Sequence, residues 1–301
     1  MKILITGATG FIGQYLVNSL KMKHELLLIS RSPKLAAKQL SVDNCKVIQI
    51  EQLKTLDDVD VIINLAGESL AAKRWNDAQK QLICESRWSI TAKLLETLKK
   101  SNAQKPRIWI NASAIGFYGT QNADPIDENF IPARQDFPSR VCAHWEKLAM
   151  EATEFNCRVC ITRFGLVLGS QGGALAKMLP AYWCGLGGSM GSGLQMMSWI
   201  TRTDLAAIIL FLIEHPECNG IYNATTPNTV TNKQFSAALA ATLHRPHFMR
   251  VPAWALTLLL GEMAELLLSG QNVQPRRLLE AGFKFRYPEL KEALRHLFED
   301  E

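Results

Sequence analysis

Apolar residues come in short unbroken runs along the first half of this chain, and between the runs they recur every three to four positions. Residues 2–6 (KILIT) are the first run, and its continuous apolar character predicts a strand buried on both faces. Ile12, Leu16 and Leu20 follow at four-residue spacing, which predicts a helix with one buried face. Runs at 25–30, 46–50, 60–65, 107–112 and 158–168 predict five more strands, with helices at 34–40, 75–100 and 141–155 between them. Strands alternating with helices in this way build a parallel sheet covered on both sides, so the predicted fold class is α/β and doubly wound. Residues 120–137, acidic and proline-containing, are predicted as a loop.

The pattern changes after 168. Two glycine-rich segments, 169–174 (GSQGGA) and 185–193 (GLGGSMGSG), flank a predicted helix at 175–184. Beyond Asp204 helices dominate, at 205–214, 232–243, 253–268, 275–281 and 289–298, and a short strand at 221–224 is expected to rejoin the sheet. The expected organisation is a nucleotide-binding core at 1–168, followed at 169–301 by substrate loops and a smaller helical C-terminal lobe.

The first strand-to-helix turn reads GATGFIG, with Gly7, Gly10 and Gly13 at three-residue spacing. Gly7 allows a tight turn, Gly10 lets a pyrophosphate approach the backbone, and Gly13 lets the helix lie close to the sheet. A helix start of this kind offers free N–H groups and a positive dipole end to phosphates, so Thr9, Phe11 and Ile12 join the three glycines as candidate cofactor residues. The second strand ends in Ser30-Arg31-Ser32, without the carboxylate that binds a ribose 2′-hydroxyl in NAD sites. A guanidinium between hydroxyls suits a 2′-phosphate, which favours NADP(H) over NAD(H). At the end of the 60–65 run, Asn64, Leu65, Ala66, Gly67 and Glu68 should border the same ligand crevice. Ser113 and Tyr118 follow the 107–112 strand at that edge. Their hydroxyls are candidates for polarising a substrate carbonyl, and a turn-capping serine beside a packed tyrosine is the plain structural alternative.

Composition narrows the partners. The 301 residues are 48 % hydrophobic and 20 % charged, as in an ordinary globular protein, and a net charge of +5 spread along the chain gives no basic stripe for nucleic acid. The apolar run at 253–268 is interrupted by Gly261, Glu262 and Glu265, which predicts a buried or amphipathic helix and no membrane span. Met1 leads directly into a core strand, so no signal peptide is expected. Seven cysteines without framework spacing fit a reducing compartment, with the cytoplasm as the default. Cys157 and Cys160 are spaced C-x-x-C, but on a strand residues three apart point to opposite faces, so no metal site is expected there. His244 and His247, around Arg245-Pro246, read as surface residues.

Taken together, GATGFIG, SRSP, INLAGE, the 113–119 stretch and the late Trp199-Ile200-x-x-x-Asp204 resemble an extended short-chain dehydrogenase/reductase. More narrowly, they resemble its atypical YfcH-like, NAD-dependent epimerase/dehydratase-like branch. KRW at 73–75, ESR at 85–87, NATTPN, RVPA, LLLGEMAELLLSGQ, PRRLLEAGFKFRYPEL and the final EALR extend the likeness over nearly the whole chain. The resemblance implies a Rossmann-type core, NADP(H), a small helical C-terminal lobe, a small-molecule substrate and a superfamily tendency toward homodimers. It also implies a Y-x-x-x-K pair, at whose positions this chain has Cys142 and Glu146; His144 and Lys147, on the same helix, are less well placed. A glutamate beside a thiol raises the thiol pKa, so Cys142 is a poor replacement acid. Ser113 matches the family serine and Tyr118 would close the nicotinamide pocket as a proton carrier. Trp75, Arg87, Tyr118 and Trp199 would form the walls and anion handle of a substrate pocket. Thr201 stands where the family has histidine. The expected activity is that of an NADP(H)-dependent oxidoreductase or epimerase acting on a small carbonyl or sugar-like substrate. The alternative is a regulatory or sensor protein that binds NADP(H) without turnover.

Overall fold

Seven apolar runs assemble into one parallel sheet because each hides side chains on both of its faces. The computed structural model describes residues 1–41, 45–101, 106–121, 123–133 and 136–300. The sheet strands are β1 (Lys2–Thr6), β2 (Glu25–Ile29), β3 (Lys46–Ile48), β4 (Val61–Asn64), β5 (Ile108–Ala114), β6 (Arg158–Phe164) and β7 (Gly220–Ala224). Their spatial order is β7-β6-β5-β4-β1-β2-β3, and every neighbouring pair is parallel. The order reverses between β1 and β4, and a Rossmann-type sheet opens its ligand crevice beyond the carboxyl ends of strands at such a point.

The helices are α1 (Phe11–Leu20), α2 (Pro33–Leu40), α3 (Asp77–Lys99), α4 (Phe137–Met150), α5 (Gly173–Trp183), α6 (Arg202–Glu214), α7 (Asn232–Thr242), α8 (Ala253–Leu260), α9 (Glu265–Leu268), α10 (Arg276–Glu280) and α11 (Leu290–Arg295). Ile3, Ile5, Ile63, Ile110 and Cys160 pack with Leu16 of α1 and Leu205 of α6. Leu4, Ile62, Trp109 and Ile161 face the other way, toward Leu94 of α3 and Ala149 of α4. This alternation sends Cys157 and Cys160 into opposite layers, as their spacing on a strand requires. Each buried Leu or Ile contributes about 1.5–3 kcal/mol, so two filled layers hold the crevice strands rigid.

Three expectations are corrected. The run at 158–168 is not one strand, because a Cβ at Gly165 would lie 2.6 Å from the Ser198 carbonyl oxygen. The close approach ends β6, and Leu166–Leu168 leaves the sheet to pair in parallel with Trp199–Thr201. The run at 253–268 breaks at Gly261 (φ +62°) into α8, a 3₁₀ turn and α9. Only Leu256, Met263 and Ala264 of it are buried, while Trp254, Leu258 and Leu259 are about 70 % exposed. The 120–137 loop contains a short strand, Pro125–Ile126, paired with Asn272–Val273; its residues 122, 134 and 135 lie outside the described residues.

A separate cluster of Leu175, Leu179, Trp199, Phe235 and Leu294 forms the core of the C-terminal lobe. Asp204 fastens that region to the rest. Thr201 caps α6 by accepting the Asp204 N–H, and the Asp204 carboxylate accepts the backbone N–H groups of Arg286 (2.8 Å) and Tyr287 (3.0 Å). The Trp-Ile-x-x-x-Asp spacing therefore has a local structural cause. No helix among the described residues is long and apolar enough to cross a membrane.

Candidate functional site

The glycine turn lies at the point where the strand order reverses. Gly7 has φ +67°, and a Cβ there would sit 2.6 Å from the Leu65 carbonyl oxygen, so the turn can press against the end of β4 only as glycine. At Gly13 a Cβ would stand 2.2 Å from the Gly7 carbonyl oxygen. Gly10 is the exposed N-cap of α1; no side chain caps the helix, and its first turn holds no acidic residue. The open N-terminus presents N–H groups and the positive dipole end to the crevice. The Thr9 carbonyl is held by Gln14 Nε2 at 2.8 Å, which fixes the loop. Glycines of the 169–174 segment wrap the ring of Phe11, where a Cβ at Gly169 or Gly172 would come within 2.5 Å. Arg202 lies 4.9 Å from the centre of the same ring. Ile12 is half-buried beside the layer under α1.

At the end of β4 the expected lining divides in two. Asn64 is fully buried: its Oδ1 accepts from Thr6 Oγ1 (2.6 Å) and its Nδ2 donates to Thr91 Oγ1 and Asn111 Oδ1. Its side chain thus braces β1, β4, β5 and α3 from beneath, with its oxygen and nitrogen both turned to protein partners. Leu65, Ala66, Gly67 and Glu68 continue outward, held by the Leu65 and Ala66 N–H groups on Thr6 Oγ1 and the Glu68 N–H on Ser86 Oγ. At the end of β2, the exposed Arg31 borders a cavity of about 480 Å³ with Ser32, Lys34, Ile48 and Gln49. Two cations and no carboxylate line it, and Gln49 Nε2 donates to the Arg31 carbonyl. A larger cavity of about 660 Å³, beside Ile126, Phe130 and Arg276, contains none of the predicted site residues.

Ser113 and Tyr118 meet in a buried polar network organised by Arg163, a charged residue inside an otherwise apolar strand. Arg163 Nε and Nη2 donate to the two oxygens of Glu146 at 2.9 and 2.7 Å. Its Nη1 donates to the Tyr118 hydroxyl at 2.9 Å, and its guanidinium lies 3.5 Å from the Phe117 ring centre. Tyr118 donates onward to Asn223 Oδ1 at 2.8 Å. The ring is fully buried, and burial raises its pKa above the ordinary phenol value. The Tyr118 hydroxyl, the expected proton carrier, is engaged on both sides inside the protein, accepting from Arg163 and donating to Asn223. Ser113 donates to Glu146 Oε1 at 2.6 Å, so its oxygen retains lone pairs and no free proton. Burial, then the Glu146 charge, push the Cys142 thiol up to about 11, which bears out its weakness as an acid.

Glu128 closes the far end of this network, accepting the Asn223 N–H at 3.0 Å. Burial outweighs its amide donors and holds its carboxyl above the ordinary 4.5. The folded state then binds more protons than the unfolded state between those two values, so stability falls as pH rises through that window. Glu128→Gln should flatten the dependence of Tm on pH above 4.5 and leave Tm at pH 7 equal or higher. A lower Tm at pH 7 with the pH slope retained would show the carboxylate is stabilised as the anion.

The pocket residues are dispersed. Trp75 is half-buried against Phe137 (ring centres 5.1 Å apart) and donates to the Leu70 carbonyl. Trp199 is fully enclosed in the C-terminal cluster, its indole N–H on the Asn228 carbonyl, and has no exposed face to offer as a wall. Arg87 lies against Gly67 with Trp145 nearby, at the crevice edge. No group of three or more potential metal ligands comes together among the described residues.

Comparison with known proteins matches residues 3–225 to the NAD dependent epimerase/dehydratase family and 251–297 to a domain of unknown function, DUF1731. The chain is similar to the chloroplastic SDR39U1 homolog, an epimerase family protein of Arabidopsis thaliana (36 % identical, covering 99 % of this chain and 87 % of that one). It is similar to the epimerase family protein YfhF of Bacillus subtilis (36 % identical, covering 100 % and 99 %). Among solved structures it is similar to human epimerase family protein SDR39U1 with NADPH, at TM-score 0.90 and 32 % identity over the whole of both chains.

Proposed function

Since the chain belongs to the NAD-dependent epimerase/dehydratase family, with NAD(P) binding as the family's shared property, we propose that it is an NADP(H)-dependent oxidoreductase or epimerase acting on a small carbonyl or sugar-like substrate. One observation carries the reading: the uncapped, acid-free start of α1 and the carboxylate-free cradle at Arg31 stand at the two places where a diphosphate and a 2′-phosphate need positive partners. NADPH in the human relative's structure is consistent with it. The bound nicotinamide would supply or accept hydride. The Ser113 oxygen, its proton held by Glu146, would accept a hydrogen bond from a substrate hydroxyl or amide. Tyr118 would support that serine's surroundings from below. The seven cysteines, all free thiols, accord with a reducing compartment, which we take to be the cytoplasm.

The test is a fluorescence titration with NADPH and NADH on the native protein and on Arg31→Ala. NADPH should bind about tenfold or more tightly, and the variant should lose that advantage, a difference of about 1.4 kcal/mol. Binding of neither nucleotide would overturn the cofactor reading.

A second reading, an NADP(H) sensor without turnover, is favoured by one observation: the groups at the expected proton-transfer positions are a thiol raised to about 11 and a carboxylate paired with Arg163. Sustained NADPH oxidation over a panel of carbonyl compounds, abolished by Ser113→Ala, would exclude the sensor.

A further inference from the structure

A helix at a protein surface ordinarily turns polar side chains to water and apolar ones to the core. In α8 (AWALTLLL) the one polar side chain is Thr257, and its hydroxyl donates back to the Ala253 carbonyl at 3.1 Å. Only Leu256 of this helix is buried. Trp254, Leu258 and Leu259 are 70, 70 and 71 % exposed, and Phe248, shortly before the helix, is 75 % exposed. The apolar surface extends across a neighbouring segment. Met249–Val251 pairs in parallel with Gly188–Met190, and a Cβ at Gly185 would lie 3.5 Å from the Pro246 ring. Trp183 and Leu186, both more than half exposed, flank that contact. Soluble monomers rarely gather such side chains into one patch of more than a few hundred Å², and patches beyond that size mark docking sites.

Cations stand at both ends of the patch. Before α8 are Arg245 and Arg250, both exposed, the second anchored by its Nε donating to the Gly191 carbonyl at 2.6 Å. After α8, a Cβ on Gly261 would lie 2.8 Å from Arg74 Nε, so the exposed Lys73 and Arg74 border the other end. Of the carboxylates beside them, Glu262 is paired with Lys80 and Glu265 accepts from Thr120 Oγ1. The rim is therefore positive on balance. This distribution selects among occupants. A second copy docked about a two-fold axis lays the patch on itself, and with both ends cationic either orientation sets like charges together. A partner protein is normally held by about one hydrogen bond per 100–200 Å², and the one hydroxyl at the centre of this patch is turned to its own helix. A bilayer needs no such bond: its boundary takes Trp, Phe and Leu side chains, and anionic headgroups take the Lys and Arg around them.

We propose that this face docks on a membrane surface, with Phe248, Trp254, Leu258 and Leu259 entering the headgroup boundary while Arg74, Arg245 and Arg250 meet anionic lipid headgroups. The chain lies on the bilayer and does not cross it through this segment. The eight residues of α8 span about 12 Å, well short of the roughly 20 residues that a crossing helix needs. The proposal is independent of the NADP(H) reading.

The test is co-sedimentation of the full chain with phosphatidylcholine vesicles made with and without phosphatidylserine, at low and high salt. The native protein should partition at least tenfold more strongly onto the phosphatidylserine vesicles, and high salt should remove most of that difference, a measurement that needs no variant to fold. Leu258→Glu with Leu259→Glu, at two exposed positions, should keep the native Tm and lose at least tenfold in partition onto both vesicle types. Arg74→Gln with Arg245→Gln should lower partition onto phosphatidylserine vesicles and leave partition onto pure phosphatidylcholine unchanged. Equal partition onto the two vesicle types, or partition that survives the double glutamate variant, would overturn the proposal. So would failure to bind vesicles together with a solution mass of two chains that the same variant returns to one, which would assign the face to a second copy.

Discussion

Glu146→Ala should lower folding stability by about 3–5 kcal/mol, the range expected when one partner of a buried ion pair is removed. The pair is nearly out of solvent, with side-chain exposures of 2 % for Arg163 and 7 % for Glu146. Removing the carboxylate leaves the Arg163 guanidinium charged and desolvated, with its bond to Tyr118 Oη and its contact with the Phe117 ring, while Ser113 loses its acceptor. Urea denaturation should report the loss as an earlier midpoint with unchanged slope, and a loss below about 1 kcal/mol would show that water or rearrangement compensates the arginine. Glu146→Lys, which restores the lysine of the family pattern, should be at least as damaging, because it sets two cations against each other. Replacing both members, Glu146→Met with Arg163→Met, should recover most of the loss, since an apolar pair needs no charge solvation. The double variant separates the cost of an orphaned charge from any need for the pair itself. The role proposed for Ser113 should not return with stability, because the carboxylate that holds its proton is still missing.

The Rossmann-type half was legible in the sequence because its signals are local. A strand buried on both faces writes a continuous apolar run, and Gly7 and Gly13 are required by contacts within the same turn or with the next crevice strand. The candidate site was less legible because its organising contacts are tertiary. Arg163 reads as one polar residue in CRVCITRF, and its partner Glu146 is 17 residues earlier on a different element. A charge inside an apolar strand and a glutamate on the buried side of a helix were the available signal, since neither is stable there alone. Tyr118 and Asn64 were placed at the correct strand ends, but residue type could not reveal that their polar atoms turn inward to Asn223 and Thr91. Gly165 shows the same limit. It looks like an interruption within one strand, and only the passing Ser198 carbonyl makes it the point where the chain leaves the sheet.

Gly10→Asp should leave the fold intact and remove NADPH binding, by about 100-fold or more, equivalent to roughly 2.7 kcal/mol. Gly10 has φ −75° and ψ 170°, extended backbone that any residue adopts, and aspartate is a favoured N-cap whose charge suits a helix N-terminus. A cap of this kind contributes about 1 kcal/mol. A Cβ at Gly10 would lie 3.2 Å from the Gly7 carbonyl oxygen, a tight contact that offsets part of that gain. The Tm of the free protein should therefore stay within a few degrees of the native value. The carboxylate, however, occupies and neutralises the N–H groups offered to a diphosphate, and it repels the incoming charge. Gly13→Ala is the contrasting variant. Its Cβ would meet the Gly7 carbonyl oxygen at 2.2 Å, so it should lose stability and binding together. If Gly10→Asp binds NADPH as the native protein does, the diphosphate does not sit at the start of α1, and the GATGFIG turn serves packing alone. If binding is lost at unchanged Tm, the glycine at position 10 is explained by the ligand, because the fold by itself would have accepted aspartate.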